Sequence, residues 1–163
     1  MQKKTLLAEE LVHIFDEHYA LLLLFARQWN SSNAEDVVQT AFMRLIKYVY
    51  EKGRPENMVA WLFTAIRNEA NNQKRNRNRR NHYEEEFAKE RKVWFVPIET
   101  TTLEVQEMMD SLEQLPIELW EIVIMRIWGE LSFDEIADST QQPRTTVWRR
   151  YNEALDILRK SLF

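Results

Sequence analysis

Residues 132–160, "SFDEIADSTQQPRTTVWRRYNEALDILRK", hold the pattern on which the fold turns. Ser132 followed three residues later by Glu135 is a capping-box pair, which closes the first turn of a helix. Phe133, Ile136 and Ala137 then give a short helix with one apolar edge. A brief turn follows, and Pro143 opens a second helix, where a missing backbone N–H is tolerated. Val147, Tyr151, Ala154, Leu155 and Leu158 recur at three- and four-residue steps and mark its buried face. A short helix, a tight turn and a helix starting with basic and hydroxyl residues make the helix-turn-helix pattern. There the first helix braces on the DNA backbone and the second lies in the major groove. The candidates for its base edges are Arg144, Thr145, Thr146, Trp148, Arg149 and Arg150. A bidentate arginine on guanine is worth roughly 1–3 kcal/mol of discrimination. An ordinary helical hairpin with a solvated second helix fits the same letters, since residues 144–160 carry five cations against two acids.

Working back along the chain, "IELWEIVIMRIW" (117–128) reads as its most apolar helix. Pro116 suits the first position of that helix, and Gly129 is placed as its C-terminal cap. Leu103, Met108, Leu112 and Leu115 predict a short helix before it, and residues 104–163 form one module. At the other end, Leu6 to Trp29 reads as one or two helices. Leu7, Leu11, Ile14 and Phe15 are spaced helically, and Leu21 to Phe25 is apolar enough for burial. Ser32 with Glu35 predicts a second capping box. The following stripe is Val37, Val38, Ala41, Phe42, Leu45, Ile46 and Val49, with Asp36, Gln39, Thr40, Met43, Arg44 and Lys47 off it. Gly53 and Pro55 make a loop. A third helix starts near Glu56, with Trp61, Leu62, Ala65 and Ile66 as its buried stripe and Thr64, Arg67, Asn68, Asn71 and Lys74 off it. This module spans residues 1–82, and 83–103 is a connector. Its acidic run, Glu84 to Glu86, reads as solvated, and its apolar "VWFVPI" (93–98) as packed on a neighbour.

Charge is distributed unevenly. The chain carries −4 overall, yet Arg67 to Arg80 holds six cations against one acid, so that stretch carries +5 and the remainder −9. "NNQKRNRNRRN" (71–81) lies largely within it. A solvated helix end is one reading. The other is a docking surface for a polyanion, in which cations displace counterions from a nucleic acid backbone and asparagines bond bases or sugars. Trp61 and Phe63 could offer stacking platforms for a single strand, although core is favoured for Trp61.

Other classes are excluded or disfavoured. Two glycines cannot make a phosphate-cradling loop, and the absence of cysteine removes disulfides and thiolate metal sites. His13 and His18 are five apart, not the four that pairs imidazoles on one helix face, and His82 stands alone in a basic stretch. No catalytic residue, metal or cofactor is expected. The N-terminus lacks a signal-peptide pattern, and "ALLLLFA" is too short to span a bilayer. A cytoplasmic protein without membrane insertion is the default expectation. The fold class expected is all-α: two small helical domains on a connector, the C-terminal one containing a helix-turn-helix.

Three stretches together resemble a bacterial RNA polymerase sigma factor of the small extracytoplasmic-function group. "AEDVVQTAFMRLIKY" (34–48) is similar to that family's polymerase-binding helix. "MVAWLFTAIRNEANNQKR" (58–75) is similar to its promoter-opening helix. Residues 112–155, "LEQLPIELW" through "YNEAL", resemble its whole C-terminal domain. The resemblance covers roughly residues 10–80 and 103–162. It implies a specificity subunit that binds core RNA polymerase and directs it to promoters, reading the −35 element as duplex and the −10 element as an opened strand. Carried over, Asp36, Gln39, Thr40, Met43 and Arg44 face the clamp helices of the largest subunit, and the C-terminal domain meets the flap region. Asn57, Arg67, Asn68, Asn71, Lys74 and Arg75 meet the −10 region, and Arg144 to Arg150 enter the −35 groove. The connector runs through the polymerase cleft. An anti-sigma protein is implied as a regulatory partner. The chain departs from the family at Asn72, often Asp, at Thr140-Gln141, often Leu-Gly, and at Trp148, often basic or small. Trp148 either reads DNA or packs on the preceding helix. The alternatives from the residues alone are a stand-alone helix-turn-helix regulator and a protein that sequesters a partner through its apolar helices.

Overall fold

The computed structural model describes residues 2–29, 32–80 and 103–162. Every regular element among them is helical, and the chain divides into two compact units, Met1–Arg91 and Lys92–Phe163. The connector's "VWFVPI", the Glu84–Glu86 run and His82 lie outside the described residues.

In the first unit, α1 (Gln2–Trp29), α2 (Ala34–Lys52) and α3 (Met58–Arg80) pack against one another in all three pairings. The first segment is one unbroken helix, because nothing between residues 2 and 29 interrupts it: no glycine and no proline. Among its described side chains Ile14, Leu22, Phe25 and Ala26 are buried, so the apolar run contributes one edge rather than its full length. Phe25 meets Phe63 of α3 edge-to-face, with ring centroids 4.9 Å apart, the geometry that ring quadrupoles favour.

Helix α2 starts at Ala34 behind Asn33, whose side chain makes no capping bond, so the expected box with Ser32 as N-cap does not form. Acids at Glu35 and Asp36 still complement the helix dipole there. Val37, Val38, Ala41, Phe42, Leu45 and Val49 are buried as expected, but Ile46 is 47% exposed. A helix flanked by two neighbours buries only an arc, and Ile46 falls beyond its edge. Gly53 ends the helix at φ +91° and ψ 179°, a conformation open essentially to glycine alone. An ion pair between Arg54 and Glu10 ties the following loop to α1.

Helix α3 buries Leu62, Phe63, Ile66 and Ala70, while Trp61 and Ala65 are half-buried. The stripe is rotated by about one residue from the expected one, so that Phe63 turns inward to meet Phe25. Beyond Ala70 no described side chain of α3 is buried, and the helix continues as a polar, basic extension to Arg80.

In the second unit, α4 (Leu103–Glu113) leads to α5 (Ile117–Val123), which widens into a π turn at Ile124–Trp128. Leu112 and Leu115 are buried, but Leu103 is 75% exposed and belongs to no core among the described residues. Pro116 is the N-cap of α5 rather than its first residue. Gly129 closes the π turn, its N–H bonded to Ile124 O at 3.0 Å, yet it keeps right-handed angles. The positive φ falls instead on Glu130, at 56°. Then come α6 (Phe133–Thr140) and α7 (Arg144–Leu162), with Ile136, Val147 and Ala154 closing the core on Ile122, Val123 and Met125.

Candidate nucleic-acid interface

Helix α6 begins with both halves of the capping box. Ser132 Oγ accepts from Glu135 N at 3.1 Å, and Glu135 Oε2 accepts from Ser132 N at 2.8 Å. It ends in a Schellman-type turn. Gln142 N bonds Ala137 O at 3.0 Å and Gln141 N bonds Asp138 O at 3.3 Å, which forces Gln141 to φ 54° and ψ 42°. A side chain with a Cβ is strained there by roughly 1–2 kcal/mol. Gln141→Gly is therefore expected to stabilise the second unit by about 0.5–1 kcal/mol, after glycine's greater unfolded entropy is subtracted. Thermal unfolding will register a rise of a few degrees. A lower melting temperature would mean that the glutamine side chain makes a compensating contact.

The turn and the two helices are tied by specific polar contacts. Arg144 Nε lies 3.2 Å from Asp134 Oδ1, and Arg150 Nη1 donates to Gln142 Oε1 at 2.9 Å. Phe133 meets Tyr151 edge-on at 5.4 Å and carries Arg126 over its face at 4.6 Å. With the orientation of α7 set in this way, Val147, Tyr151, Ala154 and Leu158 face inward. Thr145, Trp148, Arg149 and Asn152 share roughly 100° of the opposite face. Trp148 is 55% exposed, on the outer face of α7 and not within the core. The six expected base-edge residues do not behave alike. Thr145 and Arg149 are exposed, Thr146 is half-buried, and Arg144 and Arg150 are engaged within the unit. Asn152 was not anticipated. It stands seven residues after Thr145 and four after Trp148, a spacing visible in the sequence once α7's buried face is known, and its amide donates to Trp148 O at 2.8 Å.

On the first unit, Arg67, Asn68, Asn71, Lys74 and Arg75 fall within about 120° of α3. Asn68, Lys74 and Arg75 are exposed and Asn71 is half-buried. Arg67 is half-buried, its guanidinium over the Trp29 ring at 5.7 Å from the centroid. Asn57 stands apart from this arc. Its Oδ1 accepts from Ala60 N at 3.0 Å, so its side chain caps α3. Phe63 is fully buried and cannot serve as a stacking platform, while Trp61 packs on Tyr48 at 5.5 Å and stays half-open. Asp36, Gln39, Thr40, Met43 and Arg44 are all exposed on one side of α2, and Lys47 and Tyr50 prolong that stripe by two turns. Arg44 Nη1 also reaches Glu69 Oε2 of α3 at 3.0 Å.

His13 and His18 both turn toward Glu17, at 3.2 and 3.6 Å. Among the described residues no group of three or more His, Cys, Asp or Glu is arranged to hold a metal ion, and no helix is long and apolar enough to cross a membrane.

The described geometry matches known proteins over most of the chain. The family model Sigma-70 region 2 matches residues 14–80, and Sigma-70, region 4 matches residues 105–158. The ECF RNA polymerase sigma factor EcfG of Rhodopseudomonas palustris (strain TIE-1) is 28% identical over 135 residues, covering 82% of this chain and 74% of its own. RNA polymerase sigma factor SigV of Bacillus subtilis (strain 168) is 24% identical over 175 residues, covering 99% and 96%. Among solved structures, the sigma factor RpoE in complex with the anti-sigma factor NepR, from Bartonella quintana, superposes with a TM-score of 0.67 at 25% identity. That match covers 90% of this chain and 94% of the other.

Proposed function

The chain belongs to the sigma factors of RNA polymerase, in their extracytoplasmic-function group, and from that membership we propose how its two units divide promoter recognition. It is a promoter-recognising sigma factor, not a stand-alone regulator, since the matched regions take in both units. In the proposed division, α7 reads the −35 duplex through Thr145, Trp148 and Arg149, with Arg144, Thr146 and Arg150 holding it in register. Helix α3 meets the opened −10 strand through Arg67, Asn68, Asn71, Lys74 and Arg75, with Asn57 shaping the start of that helix. On α2, Asp36, Gln39, Thr40, Met43 and Arg44 face the clamp helices of the polymerase's largest subunit. The second unit also docks on the flap region. Domain limits of 1–82 and 104–163, with a linker of 83–103, accompany this division. The polymerase supplies the chemistry and this chain the address. That work belongs in the cytoplasm, and an anti-sigma protein is the proposed regulator.

One observation carries the reading. Half of the 22 lysines and arginines of an acidic chain lie on two helices of two units, six on α3, mostly on its polar extension beyond the core, and five on α7, the second helix of the helix-turn-helix pair. A body of net negative charge repels DNA broadly, so free binding is weak and the polymerase must supply the remaining contacts. Melting costs about 1.4 kcal/mol per stacked step. Backbone charge and pocketed bases on the separated strand must offset it. The test is transcription from genomic fragments by core polymerase with and without this chain. Promoter-specific initiation that does not depend on the chain would falsify the proposal.

Two neighbouring arginines of α7, Arg149 and Arg150, provide a finer check. Arg149→Ala is expected to weaken −35 duplex binding by the holoenzyme by roughly 1–3 kcal/mol, with loss of preference at one base pair. Arg150→Ala will cost less and relax no single position, because Arg150 acts through Gln142 in the turn. Binding measured across a panel of single-base changes separates the two. Equal, position-specific losses would show that both guanidiniums reach bases.

A further inference from the structure

The basic stretch of α3 contains a single acid, Glu69. An acid in a strand-binding helix would ordinarily weaken that binding by repelling phosphate. Glu69 does not share the cationic arc, however. It lies roughly 200° around the helix from Arg67, on the side that meets α2. Its side chain is only 19% exposed, and both carboxylate oxygens are engaged. Oε2 is 3.0 Å from Arg44 Nη1 of α2, and Oε1 accepts from Gln73 Nε2 at 3.2 Å.

We infer that Glu69 is a positioning residue for polymerase docking, holding the Arg44 guanidinium in the orientation in which α2 presents it. This rests on the reading of α2 as the polymerase-facing helix. A free arginine carries rotamer entropy that docking must remove. A carboxylate already fixed by Gln73 and by packing selects one orientation beforehand. The remaining guanidinium N–H groups then stay available to a partner. Arg44 lies at the border of α2's exposed arc, beside buried Ala41 and Leu45, and its guanidinium reaches across to α3 through Glu69. A residue within the strand-binding helix thereby serves the other interface.

The two roles predict opposite signs. The experiment measures core polymerase affinity, and separately the holoenzyme's affinity for a single-stranded −10 oligonucleotide. The proteins are the full chain, Glu69→Gln, Arg44→Ala and the double variant. Glu69→Gln is expected to weaken core binding roughly three- to fivefold, the upper range for a pair this exposed. It should leave strand affinity unchanged, and the double variant should match Arg44→Ala alone. The swapped pair, Arg44→Glu with Glu69→Arg, rebuilds the ion pair and keeps the fold, yet it should not recover core affinity, because a carboxylate now faces the polymerase. Tighter strand binding by Glu69→Gln with unchanged core affinity overturns the inference. So do additive losses in the double variant, or full recovery in the swapped pair. An Arg44→Ala chain that binds core polymerase normally removes the inference together with the reading of α2. Loss in Arg44→Ala without loss in Glu69→Gln removes the inference alone.

Discussion

Alanine at Arg67, Lys74 and Arg75 together will leave the chain folded and able to bind core polymerase, but unable to hold an opened promoter. These side chains lie beyond or beside the last buried turn of α3. Lys74 and Arg75 are exposed, and Arg67 lays its guanidinium over the Trp29 ring. That cation–π contact contributes about 0.5–1 kcal/mol, small beside the stability of a domain. The electrostatic loss is large. Each phosphate neutralised on a single strand contributes about 0.7 to the slope of log K against log salt. Removing three cations should flatten that slope by about 2. Titration of a −10 single strand with holoenzyme at several salt concentrations reads the slope, and a base-stacking fluorophore in the promoter reads opening. Duplex binding at the −35 element should be unaffected, since α7 belongs to the other compact unit. An unchanged slope would show that the polar extension of α3 is merely a solvated helix end.

The second large effect concerns Phe63. Replacing it by alanine is expected to cost the first unit about 3–5 kcal/mol, through lost burial and the cavity left against Phe25. Since whole domains are stable by only about 5–15 kcal/mol, this consumes much of what the unit has. Denaturant unfolding should show the first unit's transition shifted to much lower denaturant, with the second unit's transition in place, because its core of Leu112, Ile122, Val123, Ile136 and Val147 is separate. Core polymerase binding should fall with the folded fraction of the first unit. Half-buried Trp61, by contrast, should cost clearly less when truncated. The opposite result, a stable Phe63→Ala chain with impaired strand binding, would return that ring to the role of a stacking platform.

Much of this architecture was legible from local chemistry. The capping box at Ser132 and Glu135 formed as read, because both partners lie within one turn and need nothing from the rest of the chain. The same signature at Ser32 and Glu35 did not set the start of α2, where Asn33 became the N-cap. A side-chain cap is worth only about 1 kcal/mol, little enough for packing elsewhere on the helix to override. The strain at Gln141 was foreseeable from the resemblance, in which glycine often stands at that place in the turn, whereas the positive φ at Glu130 was not. The π turn adds a residue to the end of α5 and moves the left-handed position one place past the glycine.

The sequence by itself determined the helices, their order, the two cationic patches and the family resemblance. Each of these rests on periodicity, punctuation and charge along the chain, which act over a few residues. Only the tertiary structure decided which arc of each helix faces inward. It buried Phe63 and left Trp61 half-open, exposed Trp148, assigned Asn57 to a cap and turned Glu69 away from the cationic arc of α3 toward Arg44. Azimuth on a helix is set by what the neighbouring helices offer. A single residue of rotation changes a stacking ring into a core ring without altering any local pattern.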